Sequence, residues 1–252
     1  EINIIEDLIF WKEKLNIAGK RINAIFTRPI NKPNSIIQNL TGHQFYIASQ
    51  FHGYGGQSYK CIKSKNRLYI VWIDQISKSI WINTFKFINS EEDEDHSPYL
   101  ISIDQPIKLT KSITGNFDAN FALIEDKNLF GIIEIDSQDY LFKVDVCREE
   151  QDLNFLKKFD NFAGSLSSNL GKNLLSWIEW DFPFMPWENN NLFFAQLTNN
   201  GELENSVKLN KEIISNCENI SFFQPYWISD DILLCSEDSS GWWNLIFFEV
   251  KD

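Results

Sequence analysis

The sequence has few of the residues that build catalytic and metal sites. Its three histidines, His43, His52 and His96, are scattered through 252 residues and give no i, i+4 pair for zinc. No G-x-S-x-G sequence occurs. The nearest, GSLSS from Gly164, lacks the second glycine and lies in a predicted strand rather than a strand-to-helix turn. We therefore expect no catalytic residue, no metal and no cofactor in this chain.

Cysteine, basic runs and long apolar runs are also scarce or absent. The four cysteines stand far apart with no C-x-x-C spacing, which indicates reduced, mostly buried thiols rather than a metal site or a disulfide framework. No run of Lys or Arg offsets the net charge of -12, so we expect neither nucleic-acid binding nor docking on an anionic membrane. With no signal-peptide pattern and no apolar run that spans a bilayer, the expected location is cytoplasmic.

Aromatic residues, by contrast, are abundant and favour strands. Phe, Trp and Tyr make up 15% of the chain, and such residues fit the pleated, half-buried surface of a strand. The sequence also repeats: each copy has a polar turn, an apolar run that begins with Leu or Ile, a charged stop and a second apolar run. The aligned positions lie about 45 to 60 residues apart, which brackets the period of a four-stranded propeller blade. They are Leu8, Leu68, Leu129, Leu174 and Ile232.

The two apolar runs of each copy differ in their pattern. The first is apolar at nearly every position, as in SKNRLYIVWID from Ser64 and GKNLLSWIEWD from Gly171, which predicts a strand buried on both faces. The second run often alternates. Phe142 and Val144 point to one face while Lys143 points to the other, which predicts a half-buried strand.

Innermost strands are expected to precede these paired runs. The segments that fit are FHGYGGQSYKCI from Phe51, FDANFALIE from Phe117, FAGSLSS from Phe162 and ISFFQPYWIS from Ile220. The first copy is expected to begin at its second strand and the last to stop after its third. The segment from Glu149 to Phe159 is predicted to be a short helix or a loop.

Together these patterns predict an all-β chain, a β-propeller of four-stranded blades with about five blades present and the ring incomplete. A pair of β-sandwich domains is the competing fold, but a sandwich has no reason to repeat one turn-strand-stop-strand unit five times. The blades are predicted near 1–50, 51–115, 116–160, 161–218 and 219–252. A cut ring leaves unpaired edges, so self-association through them is expected.

Two groups of carboxylates need an interpretation. The run from Glu91 to Asp95 lacks the alternate spacing and the glycine of a calcium loop, and we interpret it as a solvated loop. Glu179, Asp181 and Glu188 lie in an aromatic segment, where paired carboxylates could act as acid and base on a glycoside. The simpler interpretation is that Glu179 and Asp181 end a strand and that the prolines after them break the ladder.

Four segments resemble the propeller region of the prolyl oligopeptidase family of serine peptidases, nearest the branch of dipeptidyl aminopeptidases and acylaminoacyl peptidases. FHGYGGQSY from Phe51 is similar to the family's H-(E/G)-Y-G-G segment, and Arg28-Pro29 closes a first blade as its early strands do. LGKNLLSWIEWDFPFMPWENNNL from Leu170 resembles its W-x-x-W-D-H-P-x-M-P-W-D segment, with Phe182 where the family often has His. PYWISDDILLCSEDSSGWWNL from Pro225 resembles its segment that ends in G-W-W-N-L.

The resemblance implies a function for the chain. In that family the propeller covers an α/β-hydrolase domain with a Ser-Asp-His triad and restricts access to short peptides. That domain is absent from this chain, so no catalytic residue is transferred, and the expected partners are short peptides and the missing α/β-hydrolase domain. Candidates for contact with the peptide channel lie on loops that flank strands, where binding groups tend to be. They are His52, Tyr54, Trp187, Glu188, Trp242 and Trp243.

Three functional hypotheses remain open from the sequence. The first is a non-catalytic part of a cytoplasmic serine peptidase that gates the access of short peptides to a downstream hydrolase domain. The second is a free-standing propeller that binds a protein or peptide without hydrolysis. The third, a propeller glycosidase, requires Glu179 or Asp181 to be exposed in a central pocket.

Overall fold

The structure of the chain is a computed structural model that describes residues 2–89, 98–169, 171–209 and 219–250. The acidic run from Glu91 to Asp95, together with His96 and Cys217, lies outside the described residues. The chain forms two compact units: Glu1–Thr114 with Val146–Asp152, and Gly115–Asp145 with Leu153–Asp252.

Among the described residues, the first unit contains two antiparallel sheets whose strands follow one another in chain order. Sheet 1 consists of β1 (Ile2–Ile5), β2 (Leu8–Ile17), β3 (Lys20–Pro29) and β4 (Gln38–Asn39). Sheet 2 consists of β5 (Tyr59–Ser64), β6 (Arg67–Asp74), β7 (Ser79–Asn89) and β8 (Pro98–Ser102), and β9 (Ile107–Lys108) also pairs with β7.

The part of the second unit that the structure describes contains three sheets of the same kind. Sheet 3 consists of β10 (Asn116–Ile124), β11 (Asn128–Ile135), β12 (Gln138–Asp145) and β13 (Asn154–Lys158). Sheet 4 consists of β14 (Phe162–Asn169), β15 (Leu174–Trp180), β16 (Asn191–Leu197) and β17 (Leu203–Lys208). Sheet 5 has three strands among the described residues, β18 (Phe222–Trp227), β19 (Ile232–Glu237) and β20 (Asn244–Glu249). Successive antiparallel sheets with strands in chain order are the blades of a β-propeller, so the predicted fold class is confirmed.

The strands form where the sequence pattern placed them, and their burial follows that pattern. β6 is buried at every position after Arg67, and β15 at every position except Glu179. In β12, Phe142 and Val144 are buried while Lys143 is partly exposed, as the alternation predicts. A strand that is apolar on both sides is thus buried on both sides, and an alternating strand keeps its charged face towards water.

Three sequence predictions differ from the structure. Sheet 1 begins with a strand before Leu8, because Glu6 takes a left-handed conformation (φ 52°) that closes a two-residue hairpin between β1 and β2. The segment from Glu149 to Phe159 contains strand β13, which pairs with β12, instead of a helix or loop. The innermost strand of sheet 2 begins only at Tyr59, and Phe51–Gly53 is a short 3-10 turn.

Each unit has its own apolar core. In the first, Phe10, Tyr59 and Trp72 are fully buried in one cluster that joins sheets 1 and 2. In the second, Leu192 and Phe222 are fully buried in a cluster that joins sheets 4 and 5. These cores hold the sheets of each unit together, and the strand ends of the sheets position the loops between them.

Candidate functional site

The loop that joins β15 to β16, residues 181–190, is an ordered turn in which Glu188 has a structural role. The backbone N–H of Glu188 donates to the carbonyl of Met185 at 2.9 Å. Oε2 of Glu188 accepts a hydrogen bond from the backbone N–H of Met185 at 2.8 Å. The predicted channel residue Glu188 therefore uses one carboxylate oxygen to hold its own loop.

Asn190 fastens this loop to the next sheet. It is 1% exposed, and its Nδ2 donates to the carbonyls of Pro186 (2.6 Å) and Phe222 (2.8 Å). Its Oδ1 accepts from the backbone N–H of Phe222 at 2.9 Å. One side chain thus joins the end of the loop to the first strand of sheet 5.

The loop that joins β19 to β20, residues 238–243, is bonded to the residue just before that strand. Oδ1 of Asp238 accepts a hydrogen bond from the backbone N–H of Ser221 at 2.7 Å. Because Ser221 and Phe222 are adjacent, the anchor points of the two loops lie side by side at one end of the second unit. Asn244 donates to the carbonyl of Trp242 at 2.9 Å and stabilises the turn.

Aromatic side chains cover this end of the second unit. Of the predicted candidates, Trp187 and Trp243 are about half exposed and Trp242 is 80% exposed. Trp243 also contacts Phe223, with ring centroids 6.2 Å apart. Phe182 and Phe184 on the first loop are exposed as well, and sequence reasoning did not select them. The prolines around them were the available signal, because a loop that breaks the ladder presents its side chains to solvent.

The remaining two candidates, His52 and Tyr54, lie in the first unit on the 3-10 turn before sheet 2. The centroid of the His52 ring lies 3.8 Å from that of Phe51, with the ring planes tilted by 30°, and 6.2 Å from that of Tyr54, which is exposed. Gly55 donates to the carbonyl of Phe51 at 3.0 Å and has φ 84°. A Cβ at Gly55 would lie 2.9 Å from the Ser49 carbonyl oxygen. The turn therefore requires glycine, as the HGYGG pattern predicts.

The carboxylates of the glycosidase hypothesis are engaged in structural contacts. Oε1 of Glu179 accepts a hydrogen bond from Nε1 of Trp177 at 2.7 Å and pairs with Nζ of Lys157 at 3.2 Å. Oδ1 of Asp181 accepts a hydrogen bond from Nδ2 of Asn161 at 2.6 Å. Glu179 is partly buried within β15, and Asp181 lies at the exposed start of the loop that follows.

The two buried thiols, Cys61 and Cys235, are expected to be unreactive. Burial raises the pKa of the Cys61 thiol well above its ordinary value. Burial, with a smaller contribution from Glu237, raises the pKa of Cys235 to about 12. Both remain protonated at neutral pH and are poor nucleophiles. Within the described residues no three His, Cys, Asp or Glu side chains group to hold a metal, and no helix is long and apolar enough to cross a membrane.

Comparison with solved structures places these sheets in a known architecture. A puromycin-hydrolysing peptidase of Mycobacterium tuberculosis matches the whole chain with a TM-score of 0.73 and 17% identity, and the chain covers 37% of it. A puromycin hydrolase matches 98% of the chain with a TM-score of 0.72 and 18% identity, again over 37% of its length. A prolyl endopeptidase structure matches the whole chain with a TM-score of 0.56 and 9% identity, over 33% of its length. No protein-family model and no curated protein matches the chain.

These neighbours define the class of fold. They are peptidases whose N-terminal region is a β-propeller, and this chain has the fold of that region. The chain spans about 37% of the length of the puromycin-hydrolysing neighbours. At such low identity the similarity establishes the fold alone.

Proposed function

We propose that the chain is the non-catalytic propeller part of a serine peptidase and that it gates the access of short peptides to a downstream Ser-Asp-His hydrolase domain. The observation behind this proposal is that the whole chain superposes on about 37% of a puromycin-hydrolysing peptidase. The motif resemblance to the dipeptidyl aminopeptidase and acylaminoacyl-peptidase branch supports the same family. A cytoplasmic location belongs to the proposal too.

The aromatic end of the second unit is the proposed surface for the peptide. Trp187, Trp242 and Trp243 offer large flat faces that contact apolar side chains without a specific hydrogen-bond pattern. Phe182 and Phe184 extend this surface. His52 and Tyr54 stay in the proposal as a second candidate contact. Glu188 stabilises the loop through its bond to Met185, and its carboxylate also adds negative charge beside the aromatic rings.

The chain's charge fits a peptide with a free amino terminus. The net charge of -12 attracts cationic ligands and slows the approach of anionic ones. Self-association through open sheet edges is also part of the proposal, because β20 has a partner on one side only among the described strands.

The test begins with the complete reading frame. The full product should cleave short peptides, a serine-directed inhibitor should abolish cleavage, and residues 1–252 alone should be inactive. Trp242→Ala should raise KM for an apolar short peptide several-fold with little change in kcat, because substrate contact far from the reacting bond contributes uniform binding. Tyr99→Ala, an exposed aromatic on β8, is the matched control and should leave KM unchanged.

Two results would oppose the proposal. A reading frame that ends at Asp252, with a stable and inactive product, would leave the free-standing binding propeller as the explanation. Equal KM values for Trp242→Ala and Tyr99→Ala would remove the aromatic end from the substrate path while leaving the peptidase assignment intact.

A further inference from the structure

Asn200 and Gly201 form the only Asn-Gly sequence in the chain, and Asn200 is exposed. The side-chain amide of an asparagine can be attacked by the backbone nitrogen of the next residue, which converts the asparagine into aspartate or isoaspartate. Glycine favours this attack because it has no Cβ to obstruct it and leaves the backbone free to reach the required conformation. The reaction at Asn200 therefore needs no partner other than water.

The turn that contains Asn200, residues 198–202, joins β16 to β17 and is closed by backbone bonds. The N–H of Thr198 donates to the carbonyl of Glu202 at 2.9 Å, and the N–H of Gly201 donates to the carbonyl of Thr198 at 2.8 Å. Gly201 has φ 71°, a left-handed conformation that glycine adopts without strain. The nitrogen that would attack Asn200 is thus engaged in the folded turn, so the reaction requires its bond to Thr198 to open.

Lys143, on β12 of sheet 3, reaches the peptide bond between Asn200 and Gly201. Its Nζ donates to the carbonyl oxygen of Asn200 at 2.9 Å and pairs with Oε1 of Glu202 at 2.7 Å. A Cβ added to Gly201 would lie 3.5 Å from the same nitrogen. The Lys143 side chain is only 12% exposed, so solvent screens its charge less than it screens a charge at the open surface.

The reaction has two steps, and the backbone carbonyl of Asn200 reacts in the second. In the first step, the Gly201 nitrogen gives its proton to water and bonds to Cγ of Asn200, while the side-chain nitrogen takes up a proton and leaves as ammonia. In the second step, water adds to one of the two carbonyls of the resulting succinimide, whose bond to the nitrogen breaks, and the nitrogen regains a proton. Attack at Cγ gives aspartate. Attack at the backbone carbonyl gives isoaspartate, and the former backbone oxygen becomes part of a free carboxylate.

We propose that Asn200 is a site of spontaneous deamidation and that Lys143 directs its product towards isoaspartate. The Lys143 ammonium polarises the backbone carbonyl that water must attack for this outcome, and it stabilises the negative charge that forms on the carbonyl oxygen. The isoaspartate carboxylate then occupies the place of the oxygen that now accepts the bond from Lys143, so an ion pair replaces a hydrogen bond. The inference concerns the contact between sheets 3 and 4 and does not depend on the proposed peptidase role.

The experiment follows the folded chain during prolonged incubation at neutral pH. Peptide mapping by mass spectrometry locates each deamidated residue and separates aspartate from isoaspartate. Asn200 should react before every other asparagine, with isoaspartate as its main product. In Lys143→Met the ratio of isoaspartate to aspartate should fall by about threefold, less than the loss from a buried oxyanion donor because the turn is open to water. The unaltered chain unfolded in guanidinium chloride should react faster, with the same lowered ratio.

Two further variants separate the charge of Lys143 from its effect on the turn. Glu202→Gln removes the same ion pair but keeps the ammonium on the Asn200 carbonyl, so its product ratio should match that of the unaltered chain. Lys158→Met, at an exposed lysine of β13 in the same sheet, is the matched control and should also leave the ratio unchanged. If Lys143→Met fails to fold, as judged by circular dichroism, Lys143→Leu replaces it.

Three outcomes would overturn the inference. One is an Asn200 that stays unmodified while other asparagines of the folded chain react. Another is an equal ratio of isoaspartate to aspartate in Lys143→Met and in the unaltered chain. The third is a ratio that falls as far in Glu202→Gln as in Lys143→Met, which would show that the ion pair only holds the turn and that the ammonium does not direct the attack of water.

Discussion

Replacing Asn190 by alanine should destabilise the chain by about 3 kcal/mol, because one buried amide makes three hydrogen bonds that tie a loop to the next sheet. Asn190 is 1% exposed, and its bonds to Pro186 and Phe222 are 2.6 to 2.9 Å long. A typical buried hydrogen bond contributes about 1 kcal/mol net, and the backbone groups that lose their partner add a desolvation penalty. Asn190→Asp keeps the acceptor but loses both donations and adds a buried charge, so it should also destabilise.

The measurement is urea unfolding followed by tryptophan fluorescence. With a slope of about 3 kcal/mol per M, a loss of about 3 kcal/mol lowers the midpoint by about 1 M. Asn199→Ala, an exposed asparagine in the turn between β16 and β17, is the matched control and should stay within about 0.5 kcal/mol of the unaltered chain. An Asn190→Ala midpoint equal to that of Asn199→Ala would refute the view that this amide anchors the loop.

The remaining predictions concern thiols, a turn and an ion pair. Iodoacetamide at pH 8 should modify Cys147, which is exposed, and spare Cys235, whose pKa burial raises to about 12. Mass spectrometry locates the label, and equal labelling would contradict the burial. Gly55→Ala should cost about 1 to 3 kcal/mol in thermal unfolding, whereas Gly56→Ala, with no atom near the added Cβ, should cost far less. Lys157→Met should lower the free energy of unfolding by about 1 kcal/mol, because it removes the ion pair with Glu179. The loss should be smaller in 1 M NaCl than in 0.1 M NaCl, since salt screens the pair. A loss that salt leaves unchanged would contradict the ion-pair contribution.

The fold was largely predictable because burial on two faces leaves a strong mark on the sequence. The apolar run that begins at Leu68 becomes β6, and the run that begins at Leu174 becomes β15, each buried almost throughout. The strand Asn154–Lys158 escaped prediction because it is exposed or half-exposed along its length. An edge strand of this kind is fixed by its backbone bonds to β12, which an apolar pattern does not record.

The contact of the candidate residues with a peptide stays a prediction, and the contacts within their loops were not predictable from the sequence. The motif that includes Trp187 and the one that includes Trp242 pointed to exposed aromatic loops, and both side chains are exposed. The hydrogen bond from the backbone N–H of Met185 to the Glu188 carboxylate depends on the turn of the loop itself. The anchoring role of Asn190 depends on a contact with Phe222, 32 residues further along the chain. A sequence pattern read over one segment contains neither fact.

The two anchors have a consequence for how a propeller of this kind would gate. Asn190 and Asp238 bind the two aromatic loops to the adjacent residues Phe222 and Ser221 at the start of β18, and Asn190 is buried. A loop that opens as a lid must break such bonds, whereas mobile loops are drawn from regions with few buried contacts. If the chain gates peptides as proposed, its aromatic end therefore acts as a fixed rim that selects by size and apolar contact. Loosening the rim through Asn190→Ala should then weaken discrimination between short and long peptides in the full product before it weakens cleavage itself.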